Sequence, residues 1–161
     1  MSDIKEEKPK LLIGRVENIS LPELGSVKIP ARVDTGAKTS SFWASNIREE
    51  DGLLSFTLFD KKSPLYTGKV HSTTEFYRVV VASSIGEEQE RYKVRLLIKL
   101  KGKKIRTRFT LANRSQQAYP VLLGRNVLRG KFIVDVTKGK PLYQKERERS
   151  QKLQSKLTQL G

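Results

Sequence analysis

The chain has 161 residues, the size of one ordinary domain with room for a short tail. It carries 32 Lys and Arg against 17 Asp and Glu, a formal charge of +15, with one His and no Cys. These counts exclude disulfides, a cysteine nucleophile, iron–sulfur clusters and cysteine zinc sites. A zinc site is left with one His and carboxylates, short of the usual donor sets. Catalysis falls to carboxylate, Lys, Tyr or backbone groups. Residues 1–10 hold no apolar signal core. The longest strictly apolar run, Val79–Ala82, spans four residues, too few for a membrane helix. A cytoplasmic protein drawn to acidic partners is the expectation.

Residues 1–10 read as a loose polar arm, 11–143 as the folded domain and 144–161 as a basic helix or tail. Leu11–Val16 predicts a first strand, with Pro22 and Gly25 in the turn after it. Val27–Val33 alternates, with Val27, Ile29, Ala31 and Val33 on one face. Pro30 within that run suggests an edge or a break. Asp34-Thr35-Gly36-Ala37 stops the strand, and Ser40–Ser45 is short and mixed. Leu53–Phe59 predicts a strand, 60–68 a loop, Phe76–Ala82 a strand and 83–90 a polar loop. Lys93–Lys101 and Lys103–Leu111 form the clearest hairpin, turning at Gly102, with Val94, Leu96, Ile98 and Leu100 facing one way. Val121–Leu123 and Phe132–Val136 are the last strands. From Gln144 on, Leu153, Leu157 and Leu160 share a helical face. Many short strands with one late helix predict an all-β domain.

Asp-Thr-Gly alone is weak evidence, because Asp34 capping backbone amides in a turn explains it as well. A second segment sharpens it. Tyr119–Leu128 reads YPVLLGRNVL, an apolar strand running into Gly-Arg-Asn. A strand entering DTGA, a basic hairpin and a strand entering LLGRN together resemble retropepsin-type aspartic proteases, over about Ile13–Val136. More narrowly, ARVDTGAKTSS with RFTLANRSQQAYPVLLGRNVLRGKFIVDV resembles a bacterial retropepsin-like family labelled an ATP-dependent zinc protease. Its members occur beside ATP-grasp enzymes that add glutamates to a ribosomal protein. The resemblance implies a closed β-barrel or sandwich of acid-protease type with a C-terminal helix. It also implies Asp34 as the catalytic carboxylate, with Thr35, Gly36 and Ala37 supporting it.

Amide hydrolysis without a metal or covalent intermediate needs one carboxylate as base and one carboxyl as acid. Two carboxyls about 3 Å apart share one proton and hold a water between them. This chain has one DTG and is too short for a two-lobed chain with both aspartates. The resemblance therefore implies a homodimer with Asp34 of each subunit on the axis. The viral enzymes pair the Arg of the Gly-Arg motif with an Asp four residues after the catalytic one. Here that position is Lys38. Arg125 then pairs elsewhere, with Asp135 for instance, or joins Lys38 in binding an acidic group of the substrate. The family's His after DTGAKTS is absent from Ser41-Phe42-Trp43-Ala44, and no Walker-type loop is present, so neither zinc nor ATP is expected as a cofactor.

His71 reads as a surface or flap residue. Phe42 and Trp43 read as core near the DTG loop, with a substrate pocket as the alternative. Arg91–Arg108 holds nine Lys and Arg and no acid, either as a solvated face that blocks edge pairing or as a surface for acidic protein or non-specific RNA contact. Two functions follow: an aspartic endopeptidase acting on an acidic, glutamate-rich polypeptide, or a non-catalytic basic binding module.

Overall fold

The computed structural model describes residues 8–82 and 85–160, so most of the N-terminal arm lies outside the described residues. The strand expected over 11–16 is two strands, β1 (Leu11–Ile13) and β2 (Val16–Ser20). They separate at Gly14 because each joins a different sheet. A Cβ on Gly14 would stand 2.4 Å from the Lys138 carbonyl carbon and oxygen, so only glycine admits the passing chain. A short 3-10 turn (Pro22–Leu24) leads to β3 (Ile29–Val33). Val27 lies outside that strand and is exposed, while Ile29, Ala31 and Val33 are buried.

β3 is an interior strand, with β2 on one side and β10 (Val121–Leu123) on the other. Pro30 is tolerated there because pairing with β10 begins one residue later, at Ala31. The mixed stretch after DTGA is the start of β4 (Ser40–Glu50), far longer than its first residues suggest. It turns through Asp51-Gly52, both at positive φ, into β5 (Leu53–Leu58). The loop over 60–68 is followed by a further strand, β6 (Val70–Thr73), and then by β7 (Phe76–Ala82). His71 sits on β6, stacked on Phe56 at 5.4 Å between ring centroids, with Nε2 3.4 Å from the Glu23 carboxylate.

β8 (Glu88–Leu100) and β9 (Lys103–Ala112) form the expected hairpin. Lys101 and Gly102, at φ of 50° and 78°, make the tight turn that matches strand twist. β8 begins at Glu88, shortening the expected polar loop. Glu49 on β4 accepts hydrogen bonds from Arg78 on β7 and from Tyr92 on β8. The Arg78 guanidinium holds the Glu49 carboxyl below the usual range. After β10 come the short helix α1 (Arg125–Leu128), β11 (Phe132–Val134) and α2 (Tyr143–Gln159).

Pairing runs β3–β2–β8–β9–β4–β10 and returns to β3, because β10 is parallel to β3 and antiparallel to β4. β5, β6 and β7 extend this ring outward, and β1 pairs with β11 in a small parallel sheet. Side chains of one parity fill the interior: Ile29 and Ala31, Val94, Ile98 and Leu100, Ile105, Phe109 and Leu111 are all buried. Phe109 meets Phe42 edge to face at 5.8 Å. Phe109→Ala should cost about 3–5 kcal/mol. Urea unfolding would read this as a lower midpoint at unchanged slope.

Candidate active site

β3 delivers Asp34 beside the end of β10, and the Asp34 N–H donates to the Leu123 carbonyl at 2.9 Å. The chain then turns. Ala37 N–H donates to the Asp34 carbonyl at 3.3 Å, and Gly36 N–H donates to Asp34 Oδ1 at 2.9 Å. A Cβ on Gly36 would stand 3.2 Å from that same oxygen. The turn-capping role open to Asp34 is therefore present, yet it occupies one carboxylate oxygen. Oδ2 has no hydrogen-bond partner among the described residues. Asp34 is partly buried, and Thr35 and Gly36 are exposed.

The segment Gly124–Asn126 clamps this loop from behind. Gly124 has φ −91°, a conformation open to any residue, so glycine is needed for space. A Cβ there would stand 2.2 Å from the Thr39 carbonyl oxygen and 2.9 Å from that of Ala37. The Gly124 N–H donates to Ser40 Oγ at 2.9 Å, and the Ser40 hydroxyl donates to Asn126 Oδ1 at 2.6 Å. The Asn126 amide donates to the Arg108 carbonyl at 2.8 Å and to Thr107 Oγ1 at 3.3 Å. Arg125 donates its N–H to the Ala37 carbonyl at 2.8 Å and Nη1 to the Thr35 carbonyl at 3.1 Å.

Arg125 therefore does not pair with Asp135. That carboxylate accepts from the Thr137 hydroxyl at 2.6 Å and the Thr137 N–H at 2.9 Å, which hold it below the usual carboxylate range. Lys38 is exposed at the end of the turn. Among the described residues, no three His, Asp or Glu side chains gather to hold a metal ion.

Asp34 and Thr35 line a groove of about 640 Å³ with Arg15, Arg32, Arg114 and Arg149. Arg114 and Arg149 also line a second groove of about 480 Å³, walled by Trp43. Phe42 lies in the core as expected, while Trp43 packs against the core at Phe59 and also lines the second groove. Sequence reading missed these arginines. Arg32 carried a signal, pointing outward two residues before Asp34. Arg114 and Arg149 lie 80 and 115 residues from Asp34 and carried none.

Because Gly124 is required for space alone, Gly124→Ala should destabilise by about 1–3 kcal/mol through overpacking against the 37–39 backbone. A control at Gly102→Ala, where a Cβ meets no atom within 4 Å, tests positive-φ strain without a clash. Urea unfolding with peptidase assays of both variants would check that only Gly124→Ala disturbs the site.

Comparison with known proteins agrees with this geometry. The model of the RimB-like family, described as retropepsin-like aspartic endopeptidase RimB, matches residues 12–145. A "Probable alpha-L-glutamate ligase" of Shewanella pealeana is 36% identical over 130 residues, covering 78% of this chain and 28% of that protein. One from Desulfotalea psychrophila is 34% identical over the same length and coverage. The chain thus spans under a third of these relatives, at 28% of their length. The crystal structure of Lpg0085, a protein of unknown function from Legionella pneumophila, superposes with TM-score 0.59 at 32% identity. That match covers 81% of this chain and 96% of the other. With its DTG loop clamped by Gly124–Asn126 and a family match over most of its length, the chain belongs to the RimB-like retropepsin-like aspartic endopeptidases.

Proposed function

We propose that the chain is one half of an aspartic endopeptidase that hydrolyses acidic, glutamate-rich polypeptides. The observation that carries this reading is the braced Asp34, which lines an arginine-rich groove and whose Oδ2 has no partner among the described residues. One carboxylate cannot serve as base and acid at once, so a second copy supplies the other Asp34 across a two-fold axis. A water between the two carboxyls is deprotonated by one while the other protonates the scissile carbonyl. Thr35, Gly36 and Ala37 hold the loop, and Arg125 braces it through the Thr35 carbonyl. Lys38, exposed beside the turn, meets substrate carboxylates.

Two observations support an acidic substrate. The groove beside Asp34 is lined by four arginines and one Glu. Relatives with a similar segment are named alpha-L-glutamate ligases, and a peptidase acting on glutamate chains is the chemical counterpart of an enzyme that joins them. A second reading keeps the fold and drops the chemistry, with the hairpin face binding acidic protein or RNA. It is favoured by Arg95 lying opposite Arg108 and Lys99 opposite Lys104, like-charge pairs that an anionic partner would relieve.

Asp34→Asn should reduce cleavage of a glutamate-rich peptide to background in a discontinuous chromatographic assay. Mixing separates the two assemblies. At fixed total protein, an equal mixture of wild type and Asp34→Asn should retain roughly a quarter of wild-type activity for a shared dyad, against roughly half for a monomeric enzyme. Full activity in Asp34→Asn would sink the endopeptidase reading. The binding-module reading predicts a monomer by sedimentation and salt-sensitive binding that ignores Asp34.

A further inference from the structure

Arg114 is a cation held in place without a counter-ion among the described residues. It lies in the loop after β9, where Gln117 N–H donates to its carbonyl at 2.9 Å. Its Nε donates to the Tyr119 carbonyl at 2.9 Å. Tyr119 is itself buried, accepting from the Leu142 N–H at 2.8 Å and donating to Glu146 Oε1 at 2.7 Å. The guanidinium is thus anchored at one nitrogen to a rigid part of the core. Its two terminal nitrogens have no hydrogen-bond or ion-pair partner among the described residues.

The surroundings add positive charge. Burial, with the charges of Arg149, Arg91 and Arg32, pushes the Arg114 guanidinium down to about 10. Of the acids nearby, Glu146 is engaged by Tyr119 and Glu148 accepts from Gln144, and neither pairs with Arg114. A desolvated guanidinium among like charges is costly unless an anion completes it. A pre-set planar fork with free terminal N–H groups matches a carboxylate in bidentate fashion.

Position gives this cation its role. Arg114 and Arg149 line both the groove holding Asp34 and the one walled by Trp43. The second groove adds Lys28, Lys62, Lys145 and Lys152 against Glu148, and the indole Nε1 of its Trp43 is buried with no hydrogen-bond partner among the described residues.

We propose that Arg114, with Arg149, is the specificity-determining anion site of this enzyme, gripping a side-chain carboxylate of an extended acidic peptide as it passes from Asp34 into the Trp43 groove. The proposal rests on the acidic-peptide reading above and assigns the residues that enforce it. The cationic second groove then holds acidic residues further from the scissile bond.

The test uses the full chain carrying Asp34→Asn, so that no turnover occurs, with hexaglutamate and hexaglutamine as probes. Calorimetry reads affinity, and emission of Trp43, the single tryptophan, reads occupancy of the second groove. Hexaglutamate should bind and shift Trp43 emission, while hexaglutamine should do neither. Arg114→Gln should weaken hexaglutamate at least tenfold, Arg114→Lys less, and Lys104→Gln on the hairpin not at all. Arg149→Gln, on an exposed helix, should show a similar loss and serves if Arg114→Gln misfolds. In the active enzyme, Arg114→Gln should raise KM for a glutamate-rich peptide with kcat nearly unchanged. Affinity within twofold of the parent in both arginine variants, or equal binding of hexaglutamine, overturns the proposal. Binding with silent Trp43 emission overturns the path into the second groove. Arg114-dependent binding without wild-type cleavage would sink the endopeptidase reading and leave this site standing. Cleavage indifferent to Arg114 would do the reverse.

Discussion

The close approach of Gly124 to the 37–39 backbone is the constraint on which the rest depends. It brings the end of β10 against the DTG turn, and β10 closes the barrel between β3 and β4. Barrel closure and loop placement are thus one event. The buried Ser40 hydroxyl carries both, accepting from Gly124 N–H and donating to Asn126. A buried N–H left unpaired here would cost more than an ordinary hydrogen bond contributes. The polar brace is short, fully paired and surrounded by apolar packing from Val127 and Leu123, which gives a functional loop the rigidity of the core.

Charge is distributed by location. The outer face of the β8–β9 hairpin carries exposed cations, Arg95, Lys99, Lys104, Arg106 and Arg108, whose repulsion solvent screens; both strands are paired on either side, so these charges guard no free edge. The groove beside Asp34 carries fewer cations, and among them Arg114 is desolvated and anchored to the Tyr119 carbonyl, while Arg15 and Arg32 are exposed. The second group is the costlier one for the fold and therefore the more informative about a ligand. Arg125 belongs to neither: its guanidinium is committed to a carbonyl of the loop it supports.

Much of the fold was legible in the chain. The alternation of Val94, Ile98 and Leu100 against Ile105, Phe109 and Leu111, with Lys101-Gly102 between, specified the hairpin and its buried face. Asp51-Gly52 was an equally good turn signal, and it would have extended β4 to its full length. β6 was obscured because Val70–Thr73 is half exposed and only four residues long. The break at Gly14 had no local cue, since it is enforced by the Lys138 backbone more than a hundred residues away. At the site, Asp34 and the Gly-Arg-Asn segment were visible as motifs. The partner of Arg125 was not, because either a carboxylate or a carbonyl can satisfy a guanidinium.

The sequence by itself determined the class of chemistry. One His and no Cys removed metal-thiol and cysteine nucleophile routes, DTG and Gly-Arg-Asn carried the resemblance to retropepsin-like proteases, and +15 set the sign of the overall charge. Only the tertiary structure decided where that charge is concentrated. Arg32, Arg114 and Arg149 come from a strand, a loop and a helix, and they meet because the closed barrel and the Tyr119 contacts bring α2 back beside Asp34. A net charge is a sum over the chain. The local field that selects a ligand depends on distance and burial, which exist only once the chain is folded.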